Sequence, residues 1–132
     1  MDDYIGYLDL LHDTIFSVVE RANVRVWTLG FSQGVSTVAR WVAKGKVDPQ
    51  RVVLCSGMLP AELDERGAKR LAAHAPLTIT YGDSDEFAPS EPVLAEETKL
   101  KQLGIPYEII RFKGAHTITP ELLNRLTRDA SD

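Results

Sequence analysis

The chain has 132 residues, 44% apolar and 26% charged, with 15 basic and 19 acidic side chains and a net charge of −4. A domain of this length buries a real core, and scattered basic residues outnumbered by acids exclude the electrostatic footprint of a nucleic-acid binder. One cysteine excludes an internal disulfide, and no apolar run approaches the roughly 20 residues that cross a bilayer.

Met1-Asp2-Asp3 is acidic where a secretory leader is basic, so the expectation is a cytoplasmic protein without a membrane span. Over residues 2–22, Ile5, Leu8, Leu11, Ile15 and Val18 or Val19 recur every three or four positions, which predicts one amphipathic helix. Asp2 and Asp3 suit the positive end of its dipole, and His12 within it reads as a surface or capping residue. An apolar strand is predicted over residues 24–29.

Gly30-Phe31-Ser32-Gln33-Gly34 follows that strand and precedes a helical pattern, which makes it a Gly-x-Ser-x-Gly turn between strand and helix. A serine on such a turn projects its hydroxyl above the end of a sheet, so Ser32 is the candidate nucleophile. The plainer alternative is a helix-capping serine. One glycine is expected to permit the tight turn, and the other to let the backbone after the serine pack closely.

Val35, Val38, Ala39 and Val42 mark one face of the next helix, ended by Gly45. After the Asp48-Pro49 loop, residues 51–55 are a short strand apolar on both faces, as in parallel sheets covered by helices. Cys55 in it reads as a buried small hydrophobe. Ser56-Gly57-Met58-Leu59-Pro60 leaves the strand's carboxyl end, where binding sites of such sheets lie. Met58 and Leu59 either line an acyl pocket or pack under the helix expected over residues 61–73. His74, at that helix's end, is structural. A third strand over 76–81 opens into a carboxylate-rich loop over 82–89. A helix over 91–103 closed by Gly104, a strand over 107–112 and the loop 113–116 come next. Thr119-Pro120-Glu121 caps and starts a last helix reaching about Arg128.

Alternating strands and helices predict a parallel α/β sheet. Three strand-end loops then carry Ser32, a carboxylate and His116, in the chain order of a serine, acid, histidine triad. A serine hydroxyl needs a neighbouring imidazole to take its proton, and the imidazole needs a carboxylate to orient it. Asp83 and Asp85 both fit the acid's place by spacing, while Glu86 and Glu91 read as solvated.

The stretches Leu29-Gly30-Phe31-Ser32-Gln33-Gly34, Ser56-Gly57-Met58-Leu59-Pro60, Tyr81-Gly82-Asp83-Ser84-Asp85-Glu86-Phe87-Ala88-Pro89 and Gly114-Ala115-His116 resemble the carboxylesterase/phospholipase family of α/β hydrolases. That family includes acyl-protein thioesterases. The resemblance selects Asp85, since the family's acid stands three positions after the glycine and shortly before a proline. Tyr81 and Ala115 depart from the family's usual histidine and glycine. The fold implied is a truncated α/β-hydrolase fold, about four parallel strands flanked by helices, with residues 1–132 as one partial domain. The function implied is hydrolysis of small-molecule carboxylic esters through an acyl-enzyme, with Ser32, His116 and Asp85 as the triad, the Gln33 amide at the oxyanion, and no metal or organic cofactor.

The family's first half has no counterpart here, and with it goes the loop that supplies the second oxyanion amide. Loss of one such donor costs about a hundred- to a thousand-fold in rate, so weak activity is expected. The alternative is a catalytically feeble fragment, or half of a split enzyme, with a structural or binding role. With four strands in chain order the strand over 24–29 is an edge defended only by Arg25. Two copies are therefore expected to pair edge to edge, or a separate chain to supply further strands.

Overall fold

The computed structural model describes residues 3–74, 76–87 and 89–130. Asp2, expected at the start of the first helix, lies outside the described residues, as do Met1 and Ala88. Four parallel strands, β1 (Trp27–Phe31), β2 (Arg51–Cys55), β3 (Leu77–Gly82) and β4 (Tyr107–Phe112), lie side by side in chain order. Five α-helices accompany them: α1 (Asp3–Phe16), α2 (Gln33–Lys44), α3 (Glu65–Ala72), α4 (Ser90–Gln102) and α5 (Pro120–Ala130).

The pleat of the sheet divides the core in two. Val52 and Leu54 of β2 and Leu77, Ile79 and Tyr81 of β3 share one cluster with Val35 and Val42 of α2, Leu71 of α3 and Val93 and Leu100 of α4. The alternate residues, Val53 and Cys55, join Ile110 of β4 beneath Leu122 and Leu126 of α5. Removing each such aliphatic side chain from water stabilises the fold by roughly 1.5–3 kcal/mol. A strand covered on both faces explains why residues 51–55 read as continuously apolar. Cys55 is fully enclosed, and burial pushes its thiol pKa up, as suits a small hydrophobe.

The N-terminal segment departs most from its sequence pattern. The first helix stops at Phe16, and a single 3-10 turn at Arg21–Asn23 follows. Of the predicted stripe only Ile5 is buried, whereas Leu11, Ile15, Val18 and Val19 are exposed. The helix is tethered to the body by Asp9, whose Oδ1 accepts Trp41 Nε1 at 2.8 Å and the Lys46 amide at 2.9 Å. His12 is not on the surface: it is 18% exposed and packs against Phe16 and the edge of Trp41 at 4.7 and 6.2 Å.

The first strand also moves, to residues 27–31 from the expected 24–29. Val24 and Val26 are engaged elsewhere: Arg21 donates to the Val24 carbonyl at 2.9 Å and Gln50 Oε1 accepts the Val26 amide at 2.6 Å. Pairing with β2 starts at Trp27 opposite Arg51 and continues through Gly30 and Phe31. Asp64 caps α3 by accepting the Gly67 amide at 2.8 Å, so that helix starts later than residue 61. His74 lies beyond its end, 3.6 Å from Asp48. Thr119 Oγ1 accepts the Leu122 amide at 3.1 Å, the cap anticipated for α5. Among the described residues no helix is long and apolar enough to cross a membrane.

Candidate active site

Ser32 stands where β1 hands over to α2, with φ 57° and ψ −118°. A residue bearing a Cβ occupies such a region at a cost of about 1–3 kcal/mol and persists only where its surroundings fix it. Here its amide donates to the Cys55 carbonyl at 2.8 Å and its carbonyl accepts from Val35 at 3.1 Å. The serine itself therefore makes the sharp turn expected of a glycine. Gly30 has the other job: a Cβ there would collide with the Gly34 carbonyl and the Val35 amide. Gly34 has nothing near the place of a Cβ. Of the two glycines it is therefore Gly30 that makes the close approach of α2 to the strand end possible.

The loop after β3 separates the two aspartates. Asp83 Oδ1 accepts the Gly114 amide at 3.1 Å and Ser84 Oγ at 3.3 Å, while the Ser84 amide donates to the Gly114 carbonyl at 2.9 Å. These bonds pin residues 113–116 beside residues 83–85. Asp85 is buried, with Oδ1 accepting the Phe87 amide at 2.9 Å and Oδ2 lying 2.9 Å from His116 Nδ1. His116 Nε2 is 2.9 Å from Ser32 Oγ. Glu86 and Glu91 are exposed, as expected.

An ionised carboxylate only accepts, so Nδ1 carries the imidazole proton and Nε2 offers its lone pair to the Ser32 hydroxyl. The arrangement can take a proton from Ser32 and later return it. Two aromatic rings that sequence reasoning missed flank the imidazole: Phe31 at 5.0 Å and Phe87 at 4.9 Å between centroids. Phe31 is the residue before the serine, and that adjacency was its only signal. Phe87 had the proximity of Asp85.

A cleft of about 440 Å³ opens over these groups, lined by Ser32, Gln33, Ser36, Met58, Phe87 and His116 together with Ser56 and Gly57. Gln33 is the first residue of α2, and first-turn amides have no acceptor within their own helix. Met58 is on the cleft wall; Leu59, 6% exposed, turns into the core instead. No described residue before Ser32 lines the cleft. A second cavity of about 400 Å³, rimmed by Arg40, Lys44, Arg66 and Arg70, contains none of these groups.

No protein-family model and no curated protein matches the chain. Solved structures do match it. Acyl-protein thioesterase 2 of Zea mays superposes with a TM-score of 0.71 at 20% identity, over 98% of this chain and 63% of that one. Arabidopsis thaliana SOBER1 gives 0.69 at 20% identity over 96% and 60%, and esterase PE8 gives 0.67 at 20% identity over 98% and 60%. At such identities the likeness concerns the fold, which is the α/β-hydrolase fold in truncated form. The chain spans about three fifths of the length of the structures it matches, 60–63% for these three.

Proposed function

We propose that this chain, built on part of an α/β-hydrolase fold, hydrolyses carboxylic esters with Ser32 as nucleophile. His116 Nε2 takes the hydroxyl proton as Ser32 Oγ attacks the acyl carbon, and returns it to the departing alcohol or thiol oxygen or sulfur. Asp85 holds the imidazole in the tautomer this requires and stabilises the imidazolium. The Gln33 amide, at the positive end of α2, faces the oxygen on which negative charge develops. Water, deprotonated by the same imidazole, then releases the acyl group. No step calls on a metal or an organic cofactor. The observation that carries this reading is the unbroken series of hydrogen bonds from Asp85 through His116 to Ser32, each 2.9 Å long. Its test is hydrolysis of p-nitrophenyl acetate by the wild type beside Ser32→Ala. Loss of turnover in the variant is the expected result, and an equal trace in both proteins refutes it.

A second reading is favoured by a specific observation: the cleft takes no wall from described residues before Ser32. An acyl oxygen there meets one backbone donor rather than two, a deficit of about a hundred- to a thousand-fold in rate. On this reading the chain is a feeble hydrolase, or one half of a split one, completed by other polypeptide.

Association belongs to the same proposal. β1 is an edge of the sheet, and Trp27-Thr28-Leu29-Gly30-Phe31 contains neither a charge nor a proline. Leu29 is 42% exposed on it, and Tyr7, Leu10 and Leu11 of α1 are exposed as well. Arg25, counted as the strand's defence, precedes it. An edge without gatekeepers pairs readily, and a second copy of this chain is the occupant proposed.

A further inference from the structure

Four consecutive residues after β2 each have a backbone group held by a side chain from another element. Tyr81 Oη donates to the Gly57 carbonyl at 3.2 Å, Ser36 Oγ to the Met58 carbonyl at 2.9 Å and Lys99 Nζ to the Pro60 carbonyl at 2.8 Å. The Leu59 amide, between them, donates to Glu96 Oε1 at 2.7 Å. The anchors come from α2, β3 and α4, so the turn is gripped from three sides. It needs the grip. Ser56, at its entry, has φ 57°, and a residue in that region stays there only when the surroundings over-determine it. The Ser56 hydroxyl is enclosed without a partner and contributes no restraint.

The turn bears directly on the site. A Cβ on Gly57 would collide with the Ser32 carbonyl and the Val35 side chain, so this residue rests on the serine turn itself. Met58, the next residue, is a wall of the cleft. A shift of the turn therefore moves the wall relative to Ser32.

Glu96 is the anchor that ordinary packing does not explain. An acid in the middle of a charged helix belongs in water, yet this one is 9% exposed and spends an oxygen on a backbone amide. Burial pushes its carboxyl pKa up, against the Leu59 amide and the Lys99 charge, which pull it down. An ionisable group in such a place is less stabilising than an apolar one of the same volume unless a buried donor must be met. The Leu59 amide is that donor.

We propose that Glu96 is the positioning residue of the acyl side of the cleft: by holding the Leu59 amide it fixes where Met58 stands relative to Ser32, and so selects acyl groups by length. The proposal rests on the hydrolase reading above for its substrate, but not for its geometry. Glu96 touches no reacting atom.

Two measurements test it. In the first, kcat and KM are determined for p-nitrophenyl acetate, butyrate and octanoate. Glu96→Ala is expected to raise KM for octanoate roughly tenfold, the order of one hydrogen bond to a charged group, and to leave kcat for acetate within about twofold. Glu96→Gln keeps an acceptor and stays near the wild type. An equal loss on all three esters marks a merely structural residue and overturns the proposal, as does no loss at all. Should the alanine variant not fold, Glu96→Leu fills the volume without an acceptor and takes its place.

The second measurement does not depend on turnover. Met1 and Met58 are the protein's two methionines, so 13C-methyl labelling gives two resonances that Met58→Leu assigns. The Met58 signal is expected to shift or broaden in Glu96→Ala and to stay in place in Glu96→Gln. An unmoved Met58 signal in the alanine variant overturns the proposal whatever the kinetics. A moved signal in a protein without Ser32-dependent turnover supports the positioning role and counts against the hydrolase reading alone.

Discussion

Asp85 and His116 meet at 2.9 Å with the carboxylate wholly enclosed and the imidazole 24% exposed, so the pair has one end sealed in protein and the other open to the cleft. On the proposed mechanism the sealed end fixes the tautomer and the open end takes the proton from Ser32. Replacing Asp85 by asparagine keeps the shape and offers an N–H to Nδ1, which favours the wrong tautomer. Turnover of p-nitrophenyl acetate is expected to fall by about ten-thousand-fold in Asp85→Asn, with an unchanged circular dichroism spectrum. Asp83→Asn, whose side chain accepts from the Gly114 amide and the Ser84 hydroxyl, is expected to stay within about tenfold.

Tyr81 predicts a dependence on alkaline pH. Burial first, and the negative charge of Glu96 second, push its phenol from 10.0 up to about 12. The folded state resists ionisation that the unfolded chain allows, so the wild type loses stability as pH rises through that window. Below pH 10 Tyr81→Phe should be less stable by about 1 kcal/mol, for the lost bond to the Gly57 carbonyl. That gap should narrow between pH 10 and about 12, as read by urea unfolding of both proteins. A gap that widens there would show the phenol ionising more easily when folded.

Leu71 on α3 is fully enclosed in the larger core cluster. Leu71→Ala is expected to cost about 2–5 kcal/mol in equilibrium unfolding, since removal of the side chain leaves a void among close-packed neighbours. A cost below about 1 kcal/mol would mean α3 is held by its Asp64 cap and its surface contacts rather than by packing.

Leu29 is the exposed centre of the sheet's first strand. Sedimentation at micromolar concentration should give a dimer for the wild type and a monomer for Leu29→Lys, because a lysine on an edge strand opposes pairing. A wild-type monomer removes the edge-pairing proposal.

Where an element's own residues decide its boundaries, the sequence was legible. Residues 51–55 and 107–112 are strands to the residue, and Thr119 caps the helix it was expected to cap. That Ser32, Asp85 and His116 meet was legible because each follows a strand end, where the sheet brings side chains of different segments together. The choice of Asp85 over Asp83 came from likeness to a family, not from spacing. The first helix was overdrawn because periodicity records an apolar face without recording what covers it. The first strand was placed early because Gly30 reads as punctuation, while in the sheet it pairs opposite Leu54. Glu96 was legible only in part: helical spacing puts it on the buried face of α4 with Val93 and Leu100, but no local signal shows that its carboxylate meets the Leu59 amide.

The hydrogen bond between Ser32 and His116 joins residues 84 positions apart, across every strand of the sheet. Such a contact closes a long loop and is among the late ones to form. During synthesis the serine turn can be complete while the histidine has yet to leave the ribosome. If Ser32 is the nucleophile, chemical competence therefore arrives after most of the structure, and recovery of turnover on refolding should lag recovery of helix signal. A polypeptide halted between residues 32 and 116 would hold the hydroxyl without the imidazole that the proposed mechanism assigns as its base.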